Sequence, residues 1–186
     1  MASETGGPRP KLHAVYPGTF QPPTLAHLAI AEAALERRGI STVTFALSES
    51  ALNKTHLDDS TERAETLRLA LRDYPQFRVT VTRHQLISDI AQGYDLVIVG
   101  ADKWQQMQDI RYYNFDSDER DASLAQLPEI AIVPRSGLGV PSSLAMGIDD
   151  AYRDVSSSDV RAGNLQWLLK TADWPPQSET SHQQRS

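Results

Sequence analysis

Residues 13–28 read HAVYPGTFQPPTLAHL and decide how the rest of the chain is interpreted. An apolar strand at residues 12–16 leads through a Gly/Pro turn into a helix that begins near Thr24. Main-chain N–H groups at a helix start lack partners within the helix, and the helix dipole favours negative charge there. Thr24 and His27 are three residues apart, so both face the same side of that helix. The stretch predicts an anion site between a strand and a helix, although His27 as a simple cap or packing residue is the alternative.

Apolar segments alternate with helical patterns along the rest of the chain. Four more strands are predicted at 41–47, 77–82, 95–100 and 129–133, and helices are predicted to begin near residues 24, 60 and 86, the first of them ending at Gly39. The strand at 95–100 is continuously apolar, which is typical of a strand covered on both faces. The pattern predicts an α/β fold, a Rossmann-like, doubly wound parallel sheet with helices on both faces. Ligands of such sheets bind beyond the carboxyl ends of the strands.

A second informative stretch, VSSSDVR, occupies residues 155–161. Its three serines are N-cap candidates for an amphipathic helix that extends to Leu169 and carries Trp167 towards the core. A cation at Arg161 opposes the dipole of a helix start. A guanidinium at that position is nevertheless suited to bind polyphosphate oxygens in a bidentate manner. The alternative is a serine-capped surface helix.

These two stretches resemble the two end signatures of the nucleotidyltransferase superfamily. The first is written GTF(D)Px(H/T)xGH in that superfamily and runs here from Gly18 to His27, and the second is ISSTxIR or SSSxVK. Tyr16 and Thr24 resemble phosphopantetheine adenylyltransferase, whereas the segment GAD at 100–102 is similar to nicotinate and nicotinamide mononucleotide adenylyltransferases. The chain departs from the family at Gln21, where an acidic residue is usual, and at Ala26, where glycine is usual. The acceptor is therefore left open.

The resemblance implies an enzyme of cofactor biosynthesis that uses ATP with Mg²⁺. It implies that the phosphate of a small-molecule acceptor attacks the α-phosphorus of ATP and releases pyrophosphate. By the same resemblance the catalytic residues are Thr24, His27 and Lys54, and the acceptor-binding residues are Lys54 and Trp104. The nucleotide-binding residues that it implies are Gly18, Thr19, Phe20, His27, Gly100, Asp102, Ser156, Ser157, Ser158 and Arg161.

Several of these residues have plainer interpretations. Asp102 is equally well read as the cap of the next helix, Lys54 as a surface lysine, and Trp104 as a core residue. Arg63 is interpreted as a helix residue in a structural ion pair, and the acidic cluster that starts at Asp116 as a solvated helix start. The remaining functional alternatives are a phosphopantetheine adenylyltransferase, a cytidylyltransferase and a catalytically impaired nucleotide-binding module.

Composition agrees with a single soluble domain. The chain has 186 residues and no cysteine, which excludes thiol chemistry. Its formal net charge of −6 argues against general nucleic-acid binding. We predict a nucleotidyltransferase domain at 11–174 between mobile tails at 1–10 and 175–186. No histidine has a partner at metal-ligand spacing, and no apolar run reaches membrane length. We therefore expect a cytoplasmic protein with no metal site formed by its own side chains, no nucleic-acid partner and no membrane partner, and homo-oligomer formation stays open.

Overall fold

A parallel sheet of five strands forms the centre of the computed structural model, which describes residues 11–37, 39–49 and 59–170. The strands are β1 (Leu12–Pro17), β2 (Ile40–Ser48), β3 (Phe77–Thr82), β4 (Leu96–Gly100) and β5 (Glu129–Val133). Their spatial order is β3-β2-β1-β4-β5, and every neighbouring pair is parallel. The strand order reverses between β1 and β4, so the carboxyl ends of these two strands flank the crevice in which ligands of such sheets bind.

Helices cover both faces of the sheet. They are α1 (Leu25–Leu35), α2 (Ser60–Ala70), α3 (Ile87–Ile90), α4 (Ala101–Gln108), α5 (Ser117–Ala125) and α6 (Ser157–Arg161), with 3₁₀ turns at Ile110–Tyr113, Asp150–Tyr152 and Leu165–Trp167. Consecutive residues of β1 point to opposite faces of the sheet and enter two different apolar clusters. Ala14 packs in the cluster that contains residues of α1 and α2, and Val15 packs in the cluster that contains residues of α3 and α4. The predicted doubly wound α/β fold is therefore confirmed.

The end of the described chain differs from the prediction. The helix that begins at Ser157 does not continue to Leu169, because it stops at Arg161 and Gly163 adopts a positive φ of 108°. Trp167, expected in the core, is half-buried in a 3₁₀ turn with its ring against Tyr152. The chain then returns to the first signature, where the Leu169 N–H donates to the Pro23 carbonyl. The last described residues thus hold the turn before α1.

Two other boundaries bear on the predictions. Helix α1 ends at Leu35, before the predicted stop at Gly39, and Gly39 instead supplies a positive φ of 93° in the turn that leads into β2. The predicted tails at 1–10 and 175–186 lie outside the described residues, as does the predicted domain end at 174.

Candidate active site

A cleft of about 290 Å³ opens at the carboxyl ends of the central strands. The first signature contributes the turn from Gly18 to Phe20 and the start of α1, and the second contributes 155–158 and Arg161. The end of β4, the start of α4 and the turn after β5 complete the wall, through Gly100, Asp102 and Arg135. Segments far apart in the sequence therefore meet where the strand order predicts a ligand.

His27 is held in one orientation by a capping box at the start of α1. The Thr24 hydroxyl accepts a hydrogen bond from the His27 N–H at 3.3 Å, and the His27 ring nitrogen Nδ1 accepts one from the Thr24 N–H at 3.0 Å. Because Nδ1 is an acceptor here, the proton of the neutral ring belongs on Nε2. His27 also lines the cleft. The capping box therefore fixes the His27 ring with its N–H donor at Nε2.

Thr24 has a different place from the one expected of it. The family resemblance implies a catalytic role for Thr24, but Thr24 is fully buried and is not among the residues that line the cleft. Its hydroxyl lies 3.0 Å from His27 Nδ1 and caps α1. The structure therefore gives Thr24 a positioning role, because the hydroxyl is used to fix the helix start and the His27 ring.

Aromatic rings pack tightly around the first signature. The Phe20 ring meets the His27 ring edge to face, with centroids 5.0 Å apart, and also contacts Tyr16 at 5.3 Å. Burial raises the pKa of the Tyr16 phenol above its ordinary value, so this hydroxyl stays protonated. A Cβ at Gly18 would lie 2.6 Å from the Phe20 ring, so glycine is required here for space.

We expect Gly18→Ala to lower the free energy of unfolding by about 1–3 kcal/mol, because overpacking displaces a ring that is only 2% exposed. Chemical denaturation measures this change. Gly147→Ala is the matched control, since no heavy atom lies within 4 Å of a Cβ at that position. An equal effect of the two substitutions would mean that the Phe20 ring moves aside without cost.

The second signature is bonded directly to the first. The Ser157 hydroxyl donates to the Pro22 carbonyl at 2.8 Å, and the Arg161 guanidinium donates to the Gln21 carbonyl and, at 2.8 Å, to the Ser158 hydroxyl. These three side chains line the cleft. They are therefore placed where they can contact an anion that lies over the turn between β1 and α1.

Ser156 lines the same wall of the cleft, but its hydroxyl caps the start of α6. It caps α6 in a capping box with Asp159, whose carboxylate accepts from the Ser156 hydroxyl and, at 2.7 Å, from the Ser156 N–H. These hydrogen bonds hold the pKa of Asp159 below its ordinary range. Contact of Ser156 with a nucleotide stays a prediction.

The end of β4 brings a carboxylate to the opposite wall. A Cβ at Gly100 would lie 2.7 Å from Asp102 Oδ1, so the absence of a side chain lets this carboxylate fold back over the strand end. Asp102 Oδ2 lies 3.9 Å from a guanidinium nitrogen of Arg135, and the Asp102 side chain is 61% exposed. Asp102 is accessible and is the single carboxylate among the described residues that line the cleft.

Trp104 is not where the acceptor prediction puts it. Ala101 and Met107 are buried, and Trp104 lies three residues from each, on the same face of α4. Trp104 therefore packs against the apolar cluster around Val15, whereas its neighbour Lys103 lines the cleft. Lys54, the other predicted acceptor-binding residue, lies outside the described residues.

The sequence prediction missed most of the cleft's positive charge. Lys103, Arg135 and Arg153 line the cleft together with Arg161, against the carboxylate of Asp102, in a chain whose net charge is −6. Arg135 lies two residues beyond the end of β5, a position from which the rule for parallel sheets predicts contact with a ligand. Lys103 and Arg153 carry no comparable local signal. The result is a locally basic site suited to polyphosphate.

The acidic cluster that starts at Asp116 lies at the start of α5. Asp116 caps α5 by accepting from the N–H groups of Asp118 and Glu119, which confirms that the acidic cluster is a helix start. Within the ranges that the structure describes, no cluster of three His, Cys, Asp or Glu side chains is arranged to hold a metal ion. In the same ranges no helix is long and apolar enough to span a membrane.

The cytidylyltransferase-like family model matches residues 15–163, well over half of the chain. The chain belongs to this family. It is therefore a nucleotidyltransferase of the superfamily that the two signatures resemble.

Solved structures of a Plasmodium falciparum nicotinic acid mononucleotide adenylyltransferase are similar in fold. The complex with NaAD has a TM-score of 0.58 at 14% identity, covering 81% of this chain and 82% of that one. The complex with APC has a TM-score of 0.54 at 14% identity, covering 82% and 83%. At this identity the likeness shows the fold alone.

Proposed function

We propose that this nucleotidyltransferase transfers AMP from MgATP to a phosphorylated small-molecule acceptor and releases pyrophosphate. The observation that carries the proposal is the meeting of the His27 ring with Ser157, Ser158 and Arg161 in one basic cleft at the switch point of the sheet. An acceptor of the nicotinate or nicotinamide mononucleotide type is favoured slightly. Asp102 in the GAD segment and the fold likeness to a nicotinic acid mononucleotide adenylyltransferase both favour it.

In the proposed reaction a phosphate oxygen of the acceptor attacks the α-phosphorus of ATP. The bond from the α-phosphorus to the oxygen bridging to the β-phosphate breaks, and that electron pair leaves with pyrophosphate. His27 donates from Nε2 to the phosphate oxygens that gain charge, and the main chain at Thr19 and Phe20 lies at the α-phosphate. Such a transfer depends on positioning and on stabilising charge, without a covalent enzyme intermediate.

The leaving group and the nucleoside occupy the two walls of the cleft in this proposal. Ser157, Ser158 and Arg161 bind the β- and γ-phosphates, where a guanidinium matches two oxygens at once. The nucleoside lies at the end of β4 beside Gly100, where the Asp102 carboxylate that folds over this glycine accepts hydrogen bonds from the ribose hydroxyls. Lys54 is proposed to bind the acceptor phosphate by the family resemblance alone.

Magnesium enters this proposal as part of the substrate MgATP. Mg²⁺ prefers oxygen ligands and dehydrates reluctantly, so it commonly keeps several waters and binds phosphates. The cleft has a single lining carboxylate, Asp102, among the described residues, which fits an ion held mainly by the triphosphate and by water.

Pyrophosphate release with a panel of acceptors tests the proposal. The panel contains nicotinate mononucleotide, nicotinamide mononucleotide and 4′-phosphopantetheine, each with MgATP and with MgCTP. We expect release with MgATP and a mononucleotide. Release with 4′-phosphopantetheine alone would change the acceptor, and release with MgCTP alone would make the chain a cytidylyltransferase. Binding of MgATP without release from any acceptor would identify the nucleotide-binding module suggested by Gln21 and Ala26.

We expect Ala26→Gly to tighten ATP binding. Ala26 lines the cleft on α1 where family members usually have glycine, and we propose that the base lies against this part of α1, where the methyl crowds it. The substitution costs up to about 1 kcal/mol of helix stability. Ala33→Gly, on the same helix and away from the lining residues, carries the same cost and is the control for titrations with ATP and CTP. Equal affinities in the parent and Ala26→Gly proteins would show that Ala26 does not contact the base.

A further inference from the structure

Arg63 is a buried cation next to the cleft that the proposed chemistry does not use. It lies on α2 and is 3% exposed. Its guanidinium donates to the carbonyl oxygen of Ser48 at 2.9 Å and to that of Thr19 at 3.3 Å. Ser48 ends β2 and Thr19 follows β1, so one side chain joins the carboxyl ends of two neighbouring strands. Our sequence interpretation of a helix residue in an ion pair did not anticipate these two carbonyl contacts.

The contact with Thr19 determines the direction of the next N–H group. The peptide bond between Thr19 and Phe20 is trans, so its carbonyl and its N–H point in opposite directions. Because the Thr19 carbonyl points at Arg63, the Phe20 N–H points away from α2. Both residues line the cleft, and the Phe20 N–H donates to no acceptor within the part of the chain that the structure describes.

The backbone at Phe20 needs restraint to keep this direction. Its φ is +48°, in the left-handed region that a bulky L-residue rarely adopts. Two features hold it there, the packing of the buried Phe20 ring against His27 and the bond from Arg63 to the peptide that precedes it. A charged donor on the carbonyl also polarises that peptide and strengthens its N–H as a donor.

We propose that Arg63 is a positioning residue that aims the main-chain N–H of Phe20 at the α-phosphate of the bound nucleotide. This inference rests on the proposed function for the identity of the ligand. Arg63 does not touch the substrate, and it acts by holding the Thr19 carbonyl on the side of the peptide away from the cleft.

Kinetics separate positioning from a purely structural role. In Arg63→Met we expect kcat to fall about 100-fold, since a misplaced transition-state donor has an effect of that order, while the Kd for MgATP changes only a few-fold. In Arg63→Lys, whose ammonium can reach one of the two carbonyls, we expect a smaller fall in kcat. Arg68→Met is the matched control on α2, because Arg68 is exposed and donates at 3.5 Å to the carbonyl of Val79, away from the cleft. A purely structural role would lower Tm in Arg63→Met and leave the kcat of the folded protein unchanged.

The Phe20 amide itself gives a readout that does not depend on turnover. The chain has four phenylalanines, so ¹⁵N-phenylalanine labelling yields four amide signals, with Phe77 at the start of β3 as the reference. We expect MgATP to shift the Phe20 amide in the parent protein and in Arg68→Met, and to shift it much less in Arg63→Met. If Arg63→Met does not fold, Arg63→Lys takes its place in both measurements, with a partial loss expected.

The two measurements also distinguish the inference from the proposed function. A Phe20 shift that depends on Arg63, without pyrophosphate release from any acceptor, would leave the inference standing and contradict the proposed reaction. A parent-like Phe20 shift together with a parent-like kcat in a folded Arg63 variant overturns the inference. So does a Phe20 amide that MgATP leaves unshifted in the parent protein.

Discussion

Replacement of His27 by alanine is expected to lower kcat by about 100- to 1000-fold, the usual effect of removing one donor that stabilises charge in the transition state. The capping box makes Nδ1 an acceptor for the Thr24 N–H and assigns the proton of the neutral ring to Nε2. The ring is further fixed by the edge of Phe20. A donor held so firmly costs little reorganisation when charge develops on the phosphate. The measurement is the rate of pyrophosphate release at saturating MgATP and acceptor.

A second substitution separates the catalytic donor from the helix cap. The side-chain oxygen of asparagine can accept from the Thr24 N–H as Nδ1 does, but asparagine has no group at the position of Nε2. His27→Asn should therefore keep the Tm close to that of the parent protein and still lose most of the rate. Turnover of His27→Asn within a few-fold of the parent would assign His27 to the capping of α1 alone.

The fold could be predicted because its signals are local. Each predicted strand is a short apolar run that ends at a turn, and alternation of such runs with helices favours a parallel sheet. The error at the second signature is also local in origin. The apolar residues Val160, Leu165 and Leu169 suit one helix, but Gly163 ends that helix and the returning chain buries Leu169 against the first signature. A tertiary contact therefore decided what periodicity alone could not.

The site was only partly predictable for the same reason. His27 and Arg161 stand out because each follows closely on the cap of a predicted helix, and the fold brings them to one cleft. Arg161 is, however, the last residue of α6, where a cation suits the helix dipole. Lys103 and Arg153 have no such signal, since cations on surface helices and turns are common and only the meeting of distant loops selects these two. Of the two interpretations of Trp104, the structure favours packing, because one position along α4 separates Lys103, which lines the cleft, from Trp104, which packs against the core.

Substitution of Arg161 by lysine is expected to weaken MgATP binding by about 1.5–3 kcal/mol, the contribution of a hydrogen bond to a charged group. An ammonium keeps the charge but cannot reproduce the two parallel bonds that a guanidinium makes to phosphate oxygens. Arg161 also donates to the Gln21 carbonyl and to the Ser158 hydroxyl. A lysine will therefore also loosen the link between the two signatures, and the experiment has to separate these two effects.

Calorimetric titration with ATP and with AMP makes that separation. If Arg161 binds the β- and γ-phosphates, Arg161→Lys weakens ATP binding and leaves AMP binding unchanged, because AMP lacks both groups. If the arginine only joins the two signatures, Arg161→Lys loosens the turn, weakens the binding of ATP and of AMP equally, and lowers Tm. Arg120→Lys, at an arginine of α5 that bonds Asp121 away from the cleft, is the control for the loss of a guanidinium as such. Unchanged ATP affinity together with unchanged Tm would mean that Arg161 binds no phosphate. The alternative interpretation of residues 155–161, a serine-capped surface helix, would then be correct.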